Sequence, residues 1–168
     1  IHKDWQEGQE ANNTSLKGYG IQITGEMSDW KAKGFDAQSY TPSVKTYNKK
    51  NNTWVGIKST LAPFSSPDNA YMVFVRGDRT ANSLYSEVTE TVLRTYGTLR
   101  SGDQETVEVE PGLFTAVGNP YASGIDLSKI KTDRPMFFYY WDQNLGSNFG
   151  AYQTLAILPG GRVEAIPG

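Results

Sequence analysis

The sequence predicts an all-β fold, a single-domain antiparallel β-sandwich in jelly-roll or immunoglobulin-like style. Short segments rich in β-branched and aromatic residues alternate with turn residues along the whole chain, which is typical of such folds. Aromatic residues make up 12% of the chain, and 17 glycines and 8 prolines supply its turns. Helical signals are few. We therefore expect about eight to ten strands and at most one short helix.

The domain organisation follows from chain length and from one polar stretch. A chain of 168 residues falls within the range that a single domain usually occupies. The stretch "EGQEANNTSLKG" is polar and rich in Asn, as loops are. We expect a polar N-terminal loop over residues 1–18 and a β-sandwich domain over residues 19–168.

Two segments in the first third of the chain carry clear strand patterns. "YGIQITGE" alternates Ile21 and Ile23 with polar residues, which predicts a strand with one face in water. "PSVKTYNKKNNTWVGIKS" predicts a β-hairpin around the polar turn "NKKNN", because Asn tolerates the left-handed backbone that such turns require.

Two apolar runs predict strands that are covered on both faces. They are residues 71–75 in "AYMVFVRGD" and residues 136–140 in "RPMFFYYWDQ". Neither shows the polar alternation of an edge strand, so we expect both at the centre of a sheet. Further strands are expected on both sides of "RSGDQ", in "GLFTAVGNPY" and in "GAYQTLAILPGG". The candidate inward residues around "RSGDQ" are Val88, Thr91, Leu93, Val107 and Val109, although "VTETVL" could also be part of a helix. "SGIDLSKIK" predicts a short helix.

The tripeptide Arg76-Gly77-Asp78 follows the first of these apolar runs directly. It could serve integrin-type adhesion only on an exposed loop with both charges free. The alternative is a polar turn that ends the strand, in which Gly77 supplies a positive φ and Asp78 bonds the local backbone. We predict the turn.

Charge and rare residues exclude several classes of protein. The net charge is -2 and the basic residues are scattered, so a nucleic-acid binder is not expected. The chain has no cysteine, which excludes disulfides and thiolate chemistry, and its one histidine, His2, cannot build a triad or a multi-histidine metal site. No apolar run approaches the ~20 residues of a membrane span.

Three tryptophans are candidate ligand-binding residues, because exposed aromatic rings beside polar groups can stack on sugars. Trp30, Trp54 and Trp141 lie in or beside the polar stretches "SDWKAKG", "NNTWVG" and "YYWDQN". This pattern favours contact with a polysaccharide or a cell-surface glycan. The alternative is that each ring packs at one end of the core.

Two further kinds of site rest on oxygen-bearing side chains. Asp142, Asn144 and Asn148 in "WDQNLGSNFG" could converge on calcium, although a hairpin loop whose Asp and Asn side chains bond the backbone is the alternative. Paired carboxylates of the glycosidase type are a third choice. The acidic residues alternate with valines, which favours the outward face of exposed strands over a catalytic pair. We expect no other cofactor.

Four blocks of the chain together resemble a known type of module. They are "YMVFVRGDRT", "TLRSGDQETVEV", "FTAVGNPYASGIDL" and "YYWDQNLGSNFGAY". In this order they resemble an uncharacterised β-rich module of large secreted or surface-attached proteins of the Bacteroidetes, which commonly carry a C-terminal sorting domain for type IX secretion. The resemblance covers roughly residues 19–158. It implies a secreted or cell-surface location beside adhesin-like or catalytic domains, and no catalytic residues.

These observations predict a non-catalytic extracellular module that spaces, orients or helps attach a larger protein. The expected partners are other domains of the parent chain. A carbohydrate-binding module that uses exposed Trp and Tyr is the alternative, and the two differ in whether those rings lie together on one exposed face.

Overall fold

The fold is described from a computed structural model. It describes residues 1–7, 20–63, 70–79, 91–93, 97–104, 107–146, 150–158 and 160–166. The chain divides into two compact units, Ile1–Ala122 and Ser123–Gly168, which are treated separately below. The predicted boundary between residues 18 and 19 falls outside the described residues.

The prediction of an all-β fold is confirmed. The described residues form eight strands: β1 Thr24–Gly25, β2 Ala37–Gln38, β3 Val44–Asn48, β4 Thr53–Gly56, β5 Tyr71–Val73, β6 Met136–Asp142, β7 Ala151–Leu158 and β8 Arg162–Ile166. Two short helical segments accompany them, where the sequence predicted at most one: a π-helical turn at His2–Glu7 and a 3₁₀ turn at Leu127–Lys129. The second lies in the predicted helix "SGIDLSKIK" and begins after Asp126, whose side chain accepts a hydrogen bond from the Ser128 N–H.

The first unit contains one antiparallel sheet and one short parallel pair. The sheet has the order β4-β3-β5, and its β3–β4 hairpin is the one that the sequence predicted. Asn52 in the hairpin turn takes a φ of 53°, the left-handed backbone expected there. The pairing of β1 with β2 is parallel, which corrects the expectation of antiparallel strands throughout.

The core of this unit lies under β3 and the segment around Ile21. Its buried residues are Ile1, Ile21, Ile23, Phe35 and Val44. The alternation predicted for Ile21 and Ile23 puts both side chains in the core, although the intervening Gln22 is buried too. Removal of these branched side chains from water supplies the main driving force for folding of the unit.

A polar network joins three distant parts of the same unit at Asp36. The carboxylate Oδ2 accepts from Gln6 Nε2 at 2.8 Å and from the Ile23 backbone N–H at 2.9 Å. The other oxygen, Oδ1, accepts from Arg79 Nε at 3.0 Å and Nη2 at 2.8 Å. Since Gln6 is fully buried and the Asp36 side chain is only 13% exposed, the network holds the N-terminal turn on the core.

A second set of contacts surrounds the Gln6 amide. Its Nε2 also donates to the Gly34 carbonyl at 2.9 Å, and its Oε1 accepts from His2 Nδ1 at 2.7 Å. Thr60 Oγ1 donates to the same Gly34 carbonyl at 2.7 Å. The amide nitrogen and oxygen of the buried Gln6 side chain are therefore both hydrogen-bonded, as stable burial requires.

The second unit contains an antiparallel sheet with the order β6-β7-β8. β6 and β7 pair over seven residues, from Met136 opposite Ile157 to Asp142 opposite Ala151. β8 pairs with the other edge of β7. Ala156 and Ile157 of the middle strand β7 are buried, so the long central strand carries the buried residues of this sheet.

The two apolar runs are not central strands in the described residues. β5 ends at Val73, and the following Phe74 is 50% exposed. β5 pairs only with β3, and β6 pairs only with β7, which places both at sheet edges among the strands described. Among the strands described, β5 and β6 therefore lie at sheet edges, and the central position predicted for residues 71–75 and 136–140 is not found there.

Two other predicted strand regions also differ. Val107 and Val109 are both exposed rather than inward, and residues 107–110 form no strand. In "GLFTAVGNPY" no strand is formed, and Phe114 and Val117 are exposed. Alternation in these stretches marks β propensity without a strand among the described residues, although Val117 forms an isolated β-bridge. Leu93 is exposed as well, and Val88 lies outside the described residues.

Candidate functional site

A row of aromatic side chains lies on one face of the C-terminal sheet. Successive residues of a strand point to opposite faces, so Phe137, Tyr139 and Trp141 of β6 share a face. Tyr152 of β7 stands directly opposite Trp141 in the register, and paired residues of antiparallel strands point to the same side. We call these four residues the aromatic face.

All four rings of the aromatic face are open to solvent. Their exposed fractions are 58% for Phe137, 48% for Tyr139 and 47% for both Trp141 and Tyr152. Large aromatic side chains normally supply core packing, and scattered single exposures need no explanation. Four on one sheet face form a row of exposed aromatic side chains, and exposed apolar surface that is grouped in this way can mark a binding site.

The geometry at one end of the row is set by Trp141 and Tyr152. Their ring centroids lie 5.0 Å apart with an interplanar angle of 87°, an edge-to-face pair. The backbone of Gly150 lies close to this pair. A Cβ added to Gly150 would lie 2.8 Å from Trp141 Nε1 and 2.6 Å from the Asp142 carbonyl oxygen. The close backbone approach of Gly150 therefore confines the indole beside Tyr152.

The remaining side chains on this face are small, apolar or paired. Tyr139 stands opposite Thr154, and Thr154 opposite Ile166 of β8. The charged residues on this side are Arg162 and Glu164 of β8, and they form an ion pair with each other. The face thus offers ring surfaces and hydroxyl groups with little net charge.

The opposite face of the same sheet differs in burial. Met136 and Phe138 are half-buried there, and Ile157, which pairs with Met136, is fully buried. Tyr140, between two members of the aromatic face in sequence, points to this side and is 45% exposed. Tyr140 therefore provides a matched aromatic residue outside the row.

The three predicted tryptophans lie at three separate places. Trp30 is half-buried and packs against the core of the first unit, with Lys31 Nζ 5.2 Å from its ring centroid. Trp54 pairs edge-to-face with Tyr47, with ring centroids 5.2 Å apart. Tyr47 and Trp54 point away from the side of β3 that carries the buried Val44. Only Trp141 stands among other exposed rings, so the structure does not unite the three predicted residues.

The predicted calcium ligands lie in and beside the β6–β7 connection. Asp142 Oδ1 accepts a hydrogen bond from the Asn144 backbone N–H at 2.8 Å, the turn contact of the hairpin alternative. Asn148 lies outside the described residues. Within the described part of the chain, no group of three or more His, Asp or Glu side chains could hold a metal. Calcium binding by Asp142, Asn144 and Asn148 stays an untested prediction.

The Arg76-Gly77-Asp78 tripeptide follows β5 and leads into a bend at Asp78. Gly77 takes a φ of 124°, which confirms that this position uses the freedom of glycine. Arg76 Nη2 donates to the Thr41 carbonyl at 3.0 Å and to Thr41 Oγ1 at 3.1 Å, and its guanidinium lies over the Phe74 ring. Arg76 is thus engaged by the protein itself, and Asp78 also interacts within the chain.

Three members of the aromatic face were missed when tryptophans alone were selected. The signal for Phe137 and Tyr139 is present in "FFYYW", because alternate positions of a strand share a face. Tyr152 joins the row only through the β6–β7 register, which local sequence does not specify.

Comparisons with known proteins add no assignment. No protein-family model matches the chain, and searches of curated proteins and of solved structures found no similar protein. Among the described residues, no helix has the length and apolar character needed to cross a membrane. The candidate site rests on its geometry.

Proposed function

We propose that the protein is a non-catalytic module that helps to attach a larger secreted or surface protein to carbohydrate. The observation that carries the proposal is the aromatic face, in which Phe137, Tyr139, Trp141 and Tyr152 share one side of a sheet and remain about half exposed. Ring faces stack on the apolar C–H surfaces of sugars, and hydroxyl groups beside them bond sugar hydroxyls.

A purely structural role, spacing or orienting other domains of the parent chain, is the second candidate. It is favoured by the tryptophans of the first unit, since Trp30 packs on the core and Trp54 against Tyr47. The packing of Trp30 uses an aromatic residue as ordinary core material. The two roles are compatible in one chain, because the local packing and the aromatic face belong to different units.

One enclosed carboxylate of the first unit has a structural role. Both oxygens of Asp36 are taken by hydrogen bonds from Gln6, Ile23 and Arg79, so this carboxylate holds structure together. A glycosidase would need two carboxyl groups about 5–10 Å apart across a cleft. Glycosidase activity is the third choice, on the sequence pattern in which acidic residues alternate with valines as on the outward face of strands.

The proposal also includes a cellular location and a fold type. The secreted or cell-surface location rests on the resemblance of the four sequence blocks to Bacteroidetes surface modules. For the fold, we propose a single-domain sandwich of jelly-roll or immunoglobulin-like style, supported by antiparallel pairing in both three-stranded sheets.

The test of the proposed function compares two aromatic substitutions on the same strand. The full chain, Trp141→Ala and Tyr140→Ala are applied to a glycan array and to polysaccharide-containing native gels. Trp141→Ala should lose binding about tenfold or more, because a stacking platform is removed, whereas Tyr140→Ala should bind like the parent chain. Absence of any glycan binding by the parent chain, or equal losses in both variants, would refute the proposal.

A further inference from the structure

We infer that the aromatic face binds a neutral glycan chain several sugars long that lies along β6. This inference rests on the proposed function and names the class of ligand. It commits to a linear, uncharged oligosaccharide or polysaccharide rather than to a single sugar or an acidic glycan.

The length of the row argues for a chain. Phe137, Tyr139 and Trp141 occupy alternate positions of one strand, and alternate strand residues lie about 6.8 Å apart. The row therefore extends about 13–14 Å along β6. A single sugar ring can cover only one of these platforms, whereas a chain of sugars presents a new apolar ring face at each repeat.

The width of the row also fits an extended ligand. Tyr152 lies beside Trp141 with an angle of 87° between the ring planes. At this end of the row, one ring can therefore stack on a sugar while the other contacts its edge. Beyond Phe137 and Tyr139, the next positions across the sheet are the small residues Ala156 and Thr154. The aromatic strip is thus narrow across the sheet and long along β6, the shape of a linear ligand.

The charges on this face argue for a neutral ligand. Arg162 and Glu164 stand near the Phe137 end of the sheet, with Glu164 opposite Ala156, the partner of Phe137. Since Arg162 and Glu164 pair with each other, a ligand carboxylate would meet no uncompensated cation among the described residues of β6, β7 and β8 on this face and would lie near an acidic side chain. The polar groups beside the rings are neutral ones, including the hydroxyls of Tyr152 and Thr154.

The inference is tested by isothermal titration of the full chain with matched oligosaccharides. The probes are the disaccharide and hexasaccharide of cellulose, xylan, mannan and laminarin, with hexagalacturonate as the acidic counterpart. At least one neutral hexasaccharide should bind about tenfold or more tightly than its disaccharide, and hexagalacturonate should bind more weakly. Phe137→Ala should reduce the ratio of hexasaccharide to disaccharide affinity, while Tyr140→Ala keeps that ratio.

The opposing outcomes separate this inference from the proposed function. Equal affinity for disaccharide and hexasaccharide, or tightest binding of hexagalacturonate, would overturn the chain and neutrality inference while the carbohydrate function stood. Failure of every glycan to bind would remove both. Sedimentation showing a dimer that Trp141→Ala dissociates would assign the aromatic face to a second copy of the chain and would also overturn the inference.

Discussion

Gly77, which follows β5, has a backbone conformation that favours glycine. Its φ of 124° lies where residues with a Cβ are strained, and its carbonyl accepts the Gln22 N–H at 3.0 Å. Gly77→Ala should therefore cost about 1 kcal/mol or more, a fall of roughly 2–4 °C in melting temperature for a chain of this size. Asp78→Glu should melt like the parent chain.

The same pair of variants decides the adhesive interpretation. Arg76 donates to Thr41 instead of projecting freely, so the tripeptide is not displayed as integrin-type recognition requires. If Asp78→Glu abolished cell or matrix binding at an unchanged melting temperature, the tripeptide would be a recognition site and the turn interpretation would fail.

Asp36 is the residue on which the polar network of the first unit depends. Replacement by Asn removes the negative charge that faces Arg79. It also replaces one acceptor oxygen by an NH₂ group, which would face either the Arg79 guanidinium or the N–H donors of Gln6 and Ile23. We expect Asp36→Asn to lower the free energy of unfolding by about 2 kcal/mol in denaturant titration, below the range for a fully buried pair because Arg79 is partly exposed.

The matched control for Asp36 is the exposed pair of Asp133 and Arg134. These neighbours form a salt bridge at 2.8 Å with both side chains mostly in water. Asp133→Asn should leave the denaturant midpoint nearly unchanged, because exposed surface pairs contribute little to stability. A similar loss for both Asn substitutions would show that the network at Asp36 contributes no more than a surface ion pair.

At the level of elements, the hairpin β6–β7 depends on Gly150. This residue has a φ of 85°, and a Cβ would lie 2.7 Å from the Gln143 Cα and 2.6 Å from the Asp142 carbonyl oxygen. Gly150→Ala combines backbone strain with these clashes and should cost about 1–3 kcal/mol in thermal or chemical unfolding. Because the added methyl would also displace the Trp141 indole, glycan affinity should fall in parallel.

Gly160, in the turn between β7 and β8, is the control that distinguishes backbone strain from steric clash. Its φ is 90°, but a Cβ there would meet no atom within 4 Å. Gly160→Ala should therefore show the backbone strain alone, with less loss of stability than Gly150→Ala and no loss of glycan affinity. Equal effects at both glycines would mean that the close approach to Trp141 has no role.

Which elements the sequence predicts depends on how local their signals are. The β3–β4 hairpin was predictable because its arms and its Asn-rich turn adjoin in sequence. The parallel β1–β2 pair joins two-residue strands that are distant along the chain, and no local pattern encodes such a pairing. Val107 and Val109 alternate like a strand, yet alternation cannot report whether a partner strand exists.

The aromatic face illustrates the same limit for the site. Continuous apolar character in residues 136–140 predicted a doubly covered strand, and the rings proved to be half exposed. Composition does not distinguish an aromatic residue that fills a core from one that is displayed, because both uses are common. Period-two alternation does identify Phe137, Tyr139 and Trp141 as one row once β6 is accepted as a strand.

At the scale of the whole molecule, the distribution of buried residues predicts which parts open last. β3 and β7 are the middle strands of the two three-stranded sheets, and they carry the buried Val44 and Ile157. Amides of a middle strand are hydrogen-bonded toward both neighbours, whereas about half of those in an edge strand point away from the sheet. The free energy of local opening is therefore lowest at the edge strands.

Amide hydrogen exchange of the full chain measures this order directly. The slowest amides of each unit should lie in β3 and β7, and the outward-pointing amides of β5 and β6 should exchange about tenfold or more faster, a difference of about 1.4 kcal/mol in opening free energy. The assignment of β6 to an edge depends on this contrast. Protection throughout β6 equal to that of β7 would show that another segment covers its free side, and the centre-strand expectation from the sequence would then be restored for residues 136–140.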